Sequence, residues 1–393
     1  MLHRGRVIAA LEEKAERFAG YQISVGDARQ AHEEALERVA AMTRAQIEAR
    51  LGGIPSPGAR PTAEHDAKGF IVPFKQRWEN HEQARKWARG VLFGVPTVAV
   101  DGSQIPPSKE ISVPVGAVQV GWFVNPHDQE RDYVKAVDFQ IVAPDELVDD
   151  EDAFHSQNVL GFPDRRVNAR RFVQECEKLV ALMEEAKDAT VKPVCFFDGS
   201  LVISFAQHMD PPLQREYVGA VTALLAASEA YRVPLVGYVD GSYARDLVAM
   251  IHHLADLEGQ RAVTDGALLR PRMGWGDRSA AYVCAREDAV EQRYYERVVF
   301  VYVTTTAGGL PARLDVPRWV LEEGDLDCVV DIVRAECVVG NGYPYALETA
   351  DAVAVITQRD RERFYRLFQE FAERMGLPLQ FNTKAMSKRK RRA

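Results

Sequence analysis

The chain has 393 residues, 47% of them hydrophobic and 27% charged, and a formal net charge of −8. That length holds one large domain or two modest ones with an ample core, while the acidic balance excludes a surface coated in positive field and leaves nucleic acid to local basic patches. No run approaches the ~20 apolar residues of a bilayer span, and the five cysteines, with no C-x-x-C pair, read as buried reduced thiols of a cytoplasmic protein rather than zinc ligands.

Residues 4–51, rich in Ala, Glu and Arg, predict two helices broken near Gly20–Gly26. The N-terminus leads directly into the first of them, with none of the apolar core of a signal peptide. Residues 52–73, with Gly-Gly and four prolines, predict a linker or long loop, and a helix at 78–89 follows. From there the pattern is regular. Strands are predicted at 95–100, 113–124 and 132–142, then helix 165–187, strand 192–197, helix 212–231, strand 233–239 and helix 243–257. A three-strand meander followed by alternating helices and strands predicts a mixed α/β sheet flanked by helices. Beyond Gly259 come a turn-rich arm at 264–277, strands at 279–284 and 298–304, and closing helices at 326–337, 345–356 and 360–376. The expected division is an N-terminal helical extension and linker at 1–93 and an α/β domain with a basic C-terminal tail at 94–393.

Two phrases within that domain are nearly alike, T-V-A-V-D-G-S at Thr97–Ser103 and V-C-F-F-D-G-S at Val194–Ser200. Each is read as a buried strand that ends in an aspartate. A carboxylate delivered by a buried strand is costly unless something pairs with it, so two such strands point to one shared cation. Ordinary Asp-Gly-Ser turn chemistry is the alternative. The third copy, Asp240–Ser242, reads as a turn before the next helix.

Helix-borne acids extend the set. Glu175 falls within the apolar stripe of Phe172, Cys176 and Leu179 and needs a partner there, either a metal or Arg171 one turn away. Asp351 lies four residues after Leu347 and three before Ala354 on a helix apolar almost all round, so it is expected on a packed face, with a solvent-facing placement as the alternative. Acids on the first strand, the next helix, the fourth strand and a late helix follow the order of a ribonuclease H-like fold. Asp101, Glu175, Asp198 and Asp351 are thus the candidate catalytic and metal-binding residues. Oxygen-only ligation suits Mn²⁺ or Mg²⁺ and argues against zinc. Two such ions about 4 Å apart would serve in-line phosphodiester hydrolysis. No histidine lies beyond His253 to act as a C-terminal ligand.

Phosphate contacts are expected from Arg165, Arg170 and Arg278, with Arg272 beside them, and base stacking from Trp275 and Tyr343, with Trp122 and Tyr345 as further candidates. Trp275, in M-G-W-G-D-R-S, is expected on a flexible arm. The last ten residues hold Lys384, Lys388, Arg389, Lys390, Arg391 and Arg392 and no acid, which reads as a nucleic-acid patch or a solvated end.

The ordered phrases V-A-V-D-G-S-Q-I, F-F-D-G-S-L, V-G-Y-V-D, T-D-G-A-L-L, G-D-R-S-A and G-Y-P-Y-A-L-E-T-A-D-A-V-A-V-I, spread over roughly 95–388, resemble the NurA-domain nucleases. The resemblance implies a ribonuclease H-like fold and a manganese-preferring nuclease that degrades DNA 5′ to 3′ and cuts single strands. It also implies a ring-shaped homodimer docked on a hexameric HerA-type ATPase translocase. By position, Asp101 and Asp198 match the family's strand aspartates. Glu175 matches its helix glutamate, with a spacing to Asp198 a few residues longer than usual. Asp351 falls where archaeal relatives carry a histidine, which keeps an oxygen ligand but removes an imidazole.

The expected function is therefore a cytoplasmic, homodimeric, Mn²⁺- or Mg²⁺-dependent deoxyribonuclease that trims DNA ends for recombination or repair. Its rival is a catalytically weak DNA-end-binding scaffold that regulates a translocase ATPase. An enzyme acting on RNA is a third reading.

Overall fold

The computed structural model describes residues 2–108, 110–147, 164–255, 257, 263–287 and 294–380, with the backbone alone for residues 22–28. The basic cluster from Lys384 to Arg392 lies outside the described residues. Among the described residues no helix is long and apolar enough to cross a membrane. All five cysteines are free thiols, Cys328 exposed and the other four buried.

Eleven strands are described: β1 (Gly58–Pro61), β2 (Ile71–Val72), β3 (Thr97–Ile105), β4 (Gly116–Asn125), β5 (Val134–Val142), β6 (Val194–Asp198), β7 (Leu235–Val239), β8 (Arg278–Ser279), β9 (Tyr282–Ala285), β10 (Val298–Val303) and β11 (Ala312–Pro317). Helices flank this mixed parallel and antiparallel arrangement. Contacts divide the chain into two units, residues 1–78 with 238–323 and residues 79–237 with 324–393, so each unit draws on two stretches of chain.

In the first unit the strand order is β1-β9-β10-β11, with β8 pairing β10 and β2. Here the sequence-based expectation fails in three places. The helix Ala15–Ala40 runs unbroken through Gly20 and Gly26, because an interior glycine costs only about 1 kcal/mol and burial of Ala35, Leu36 and Val39 outweighs it. The expected linker at 52–73 instead contains β1, β2 and the short helix Glu64–Lys68. Pro61 is tolerated because, among the described residues, β1 pairs only with β9, as an edge strand does. Strand β11 escapes a hydropathy reading because its inward residues include Arg313 and Asp315, both fully buried and joined through Arg313 Nε at 2.7 Å. Arg313 and Arg286 also hold the buried Asp246, Arg286 Nε donating at 2.5 Å.

In the second unit β3, β4 and β5 form an antiparallel meander, and β6 runs parallel to β3 on its other side. The expected strand at 95–100 extends through the Asp-Gly-Ser phrase to Ile105, because the ladder with β4 continues from Asp101 opposite Gly121 to Ile105 opposite Ala117. Asp101 therefore sits mid-strand, whereas Asp198 ends β6 as expected.

Two glycines decide how helices approach this sheet. A Cβ on Gly102 would lie 2.4 Å from Glu175 Oε1 and 2.8 Å from Arg171 Cγ, so the bare backbone there admits the helix Asp164–Glu185. A Cβ on Gly121 would lie 2.7 Å from the Ala354 nitrogen and 2.9 Å from its Cα, so the end of the helix Tyr345–Ala354 rests directly on β4. Side chains alternate between sheet faces, and neighbours paired across a ladder share one. Gly121 and Asp101 therefore face the Tyr345–Ala354 helix, while Gly102 faces the Asp164–Glu185 helix.

Candidate active site

Strand register brings the two strand aspartates together. Val100 of β3 pairs with Phe197 of β6 in a parallel ladder, so Asp101 and Asp198, the next residues, emerge side by side on one face. The third aspartate comes from above that face. Ala346, Leu347, Ala350 and Ala354 bury one side of their helix, and Asp351 lies beside that stripe. It is exposed, not packed as expected, because the small alanines, not the acid, make the contact with the sheet. Asp351 nonetheless reaches Asp101, whose carboxyl feels both a hydrogen bond and a charge from it.

Glu175 approaches from the opposite face, where it is buried, its carboxylate filling the space that Gly102 leaves empty. Its local partner is realised: Arg171 Nη1 donates to Glu175 Oε1 at 2.7 Å and to the Gly102 carbonyl at 3.2 Å. Arg171 Nε is buried without a hydrogen-bond partner.

The carboxyls report a surplus of negative charge. Burial pushes Glu175 up to about 8, with Arg171 opposing the shift and the charges of Asp101 and Asp198 adding to it. Burial pushes Asp101 up to about 6, opposed by the Gly102 backbone N–H and reinforced by Asp198 and Asp351. Partial desolvation also raises Asp198, although the residue itself reaches solvent; the Tyr343 hydroxyl, donating to Asp198 Oδ1 at 3.0 Å, and Arg171 act the other way, while Asp351 adds to the rise. Four carboxylates that perturb one another, with one guanidinium among them, are a hard oxygen donor set suited to Mn²⁺ or Mg²⁺. Among the described residues, no three His, Cys, Asp or Glu side chains are close enough to form a ready metal-binding group. The acids share a field without forming a closed coordination shell.

The expected nucleic-acid contacts separate clearly. Tyr343 is half-buried and touches Asp198. Arg165 and Arg170 are exposed on the helix that carries Glu175, with Arg165 Nη1 3.1 Å from Asp210. Trp122 is covered by Lys178, whose Nζ lies 3.6 Å from the ring centroid, and Tyr345 packs edge-on against Phe123. The other candidates belong to the first unit and are held there. Arg278 is fully buried and forks onto Glu64, Nη2 to Oε1 at 2.6 Å and Nη1 to Oε2 at 2.8 Å, so it is a core cation and not a surface phosphate contact. Trp275 is not on a free arm: its ring packs on Phe74 and Trp78, and its Nε1 donates to the Thr305 carbonyl at 3.0 Å. Arg272 is bound to the Glu33 carbonyl and the Glu37 carboxylate. Sequence reading missed Gly102 and Gly121 as site-forming residues, and the D-G-S and V-G-W phrases that hold them were the available signal.

No curated protein matches this chain. Among solved structures, the NurA nuclease from Sulfolobus solfataricus is 14% identical with a TM-score of 0.44, over 71% of this chain and 85% of that one. A structure of NurA with manganese is 10% identical with a TM-score of 0.43, over 91% and 98%. An endonuclease V from Bacillus subtilis is 14% identical with a TM-score of 0.30, over 75% and 95%. The model of the NurA domain matches residues 95–356, well over half of the chain and a span that contains all four acids. The chain belongs to the NurA domain family.

Proposed function

We propose that this chain is a divalent-metal-dependent deoxyribonuclease, a 5′–3′ exonuclease and single-strand endonuclease that processes DNA ends for recombination or repair. Family membership supports the coarser reading, a DNA nuclease. The observation that supports metal dependence is the placement of Asp101, Asp198 and Asp351 on one sheet face with Glu175 arriving from the other, their charges perturbing each other's protonation, while the polarity and the single-strand cutting rest on the resemblance of the motifs. Asp101, Asp198, Asp351 and Glu175 would hold Mn²⁺ or Mg²⁺, two ions in the complete site. Bound there, a divalent cation supplies Lewis acidity toward the phosphodiester and a more acidic water.

The chain's own groups do the rest. Arg171 keeps Glu175 turned toward Gly102. The Tyr343 hydroxyl orients Asp198, and its half-buried ring would stack on an unpaired base. Arg165 and Arg170 offer charge to the phosphates leading away from the cut. On this reading the sheet would be of the ribonuclease H-like class, with 94–393 as the nuclease span and 1–93 as an N-terminal region of helices that also contributes β1 and β2. The resemblance of the ordered motifs also supports a cytoplasmic homodimer that works with a HerA-type hexameric translocase.

One observation favours a second reading, a weakly catalytic DNA-end-binding scaffold: Arg171 already engages Glu175, at 2.7 Å. Digestion of 5′- and 3′-labelled single- and double-stranded DNA with Mn²⁺, Mg²⁺ or EDTA separates the two. Metal-dependent cleavage lost in Asp198→Ala, with DNA binding retained, supports the nuclease. No cleavage even with a translocase and ATP selects the scaffold, and cleavage that persists in Asp198→Ala shows that the site is elsewhere.

A further inference from the structure

Glu336, on the helix Leu326–Val339, is fully buried and belongs to none of the groups assigned above. Three hydrogen-bonding groups converge on its carboxylate. Thr97 Oγ1 donates to Oε1 at 3.0 Å, His127 Nε2 lies 3.2 Å from the same oxygen, and the Ala346 backbone N–H donates to Oε2 at 2.8 Å. These groups come from the elements that build the acid site. Thr97 opens β3, four residues before Asp101, and Ala346 lies in the first turn of the helix that carries Asp351. His127 follows β4, the strand on which Gly121 receives that helix.

The Tyr345–Ala354 helix needs such a partner. Its N-cap residue is Pro344, which supplies no side-chain cap, so the open backbone donors of its first turn require an outside acceptor. Glu336 provides one, its Oε2 accepting from the Ala346 N–H in the first turn. A surface Ser or Asp at the N-cap would satisfy the helix alone. A carboxylate buried on another helix is costly to keep unless it is fully hydrogen-bonded, and here its bonds join three elements at once. The loop between the two helices is also tightly closed. A Cβ on Gly340 would lie 2.1 Å from the Tyr343 carbonyl oxygen, and Tyr343 itself reaches Asp198.

We propose that Glu336 is a positioning residue: with Thr97 and His127 it fixes the Asp351 helix against the Asp101 strand, and so sets the affinity of the acid site for a divalent cation. This rests on the acid-site reading above.

The test is a Mn²⁺ titration of the full chain, followed by the electron paramagnetic resonance signal of free Mn²⁺ and paired with backbone hydrogen exchange. Partners that orient metal ligands typically contribute about 10- to 100-fold in affinity. Glu336→Ala is therefore expected to weaken Mn²⁺ binding by at least about tenfold and to speed exchange across 343–354. Glu336→Gln, whose amide can accept from Ala346 and donate to Thr97, is expected to stay within about threefold of wild type. Thr97→Val removes the hydroxyl's bond to Glu336 and its 2.9 Å contact with His127 Nε2 at nearly constant shape, and a weakening of about threefold or more is expected; it carries the test if Glu336→Ala does not fold. Wild-type Mn²⁺ affinity in a folded Glu336→Ala, or in Thr97→Val should the alanine variant not fold, overturns the proposal and leaves the acid site standing. Failure of the wild-type protein itself to bind Mn²⁺ removes the acid site, and the proposal with it.

Discussion

Gly121→Ala is the substitution whose consequence can be worked most fully from the structure. The added Cβ would sit 2.7 Å from the Ala354 nitrogen, 2.9 Å from its Cα and 3.0 Å from the Val353 carbonyl carbon. All three are backbone atoms, so no side chain can rotate away. Restoring contact at 3.4 Å requires the helix end to lift by about 0.7 Å, given the present 2.7 Å. Overpacking of this kind costs about 1–3 kcal/mol. Asp351 lies three residues before Ala354, within one turn, and moves with it while Asp101 stays on β3. A misplacement near 1 Å in a reacting constellation costs about 10²-fold, so single-turnover cleavage of labelled single-stranded DNA with Mn²⁺ should fall about 10- to 100-fold in a protein that remains folded. Gly219→Ala is the control. Its Cβ meets nothing within 4 Å on the helix Pro211–Tyr231, and the change should leave cleavage unaltered while adding up to about 1 kcal/mol of stability. Wild-type cleavage and stability in Gly121→Ala would refute the claim that this close approach sets the position of Asp351.

Protonation supplies a second expectation. Asp101 and Glu175 are pushed from ordinary values of 3.8 and 4.5 up to about 6 and about 8. The native state therefore holds protons that the unfolded chain releases at lower pH, a stabilising effect present in full below those ordinary values and lost as pH rises through about 6 and then about 8. Without metal, the melting temperature should fall between pH 5 and pH 8.5, and Asp101→Asn or Glu175→Gln should flatten the fall. Added Mn²⁺ should recover more stability at pH 8 than at pH 5.5, because protons and cation compete for the same oxygens. A flat profile in metal-free wild type would contradict the shifts. Gly102→Val should expel Glu175 and Arg171 from the sheet, lowering Mn²⁺ affinity about tenfold by titration calorimetry, with unchanged affinity as the contrary result. Tyr343→Phe keeps the ring and loses the bond to Asp198, so it should reduce cleavage severalfold and leave single-strand affinity intact, whereas Tyr343→Ala should also weaken binding by about 1–3 kcal/mol in fluorescence anisotropy. Equal affinities in the two variants would remove the stacking role.

The second unit was the more legible part of the chain. Most of its strands and helices carry clear apolar runs or stripes, and the acids break those at positions visible in the sequence. The burial of Glu175 is legible because it interrupts a helical stripe between Phe172 and Leu179. Asp351 was misplaced because Ala346, Ala350 and Ala354 pack by being small, which hydropathy registers poorly. The first unit hides its strands. β11 buries Arg313 and Asp315 against each other and Asp246, so residues that read as surface are core. Arg278 and Trp275 looked like nucleic-acid contacts for the same reason: partners more than two hundred positions away, Glu64 and Phe74, hold them, and no local pattern announces such pairs. The site's glycines were visible as letters, but their purpose depends on helices that arrive from elsewhere in the chain.

The most direct test of the four-acid site is affinity cleavage of the protein backbone, with Fe²⁺ and ascorbate in place of Mn²⁺. A cation held by Asp101, Glu175, Asp198 and Asp351 should cut the chain near those four positions. Excess Mn²⁺ should suppress the cuts, and Asp198→Asn should abolish them. Cuts confined to other segments, or an unchanged pattern in Asp198→Asn, would contradict the assignment.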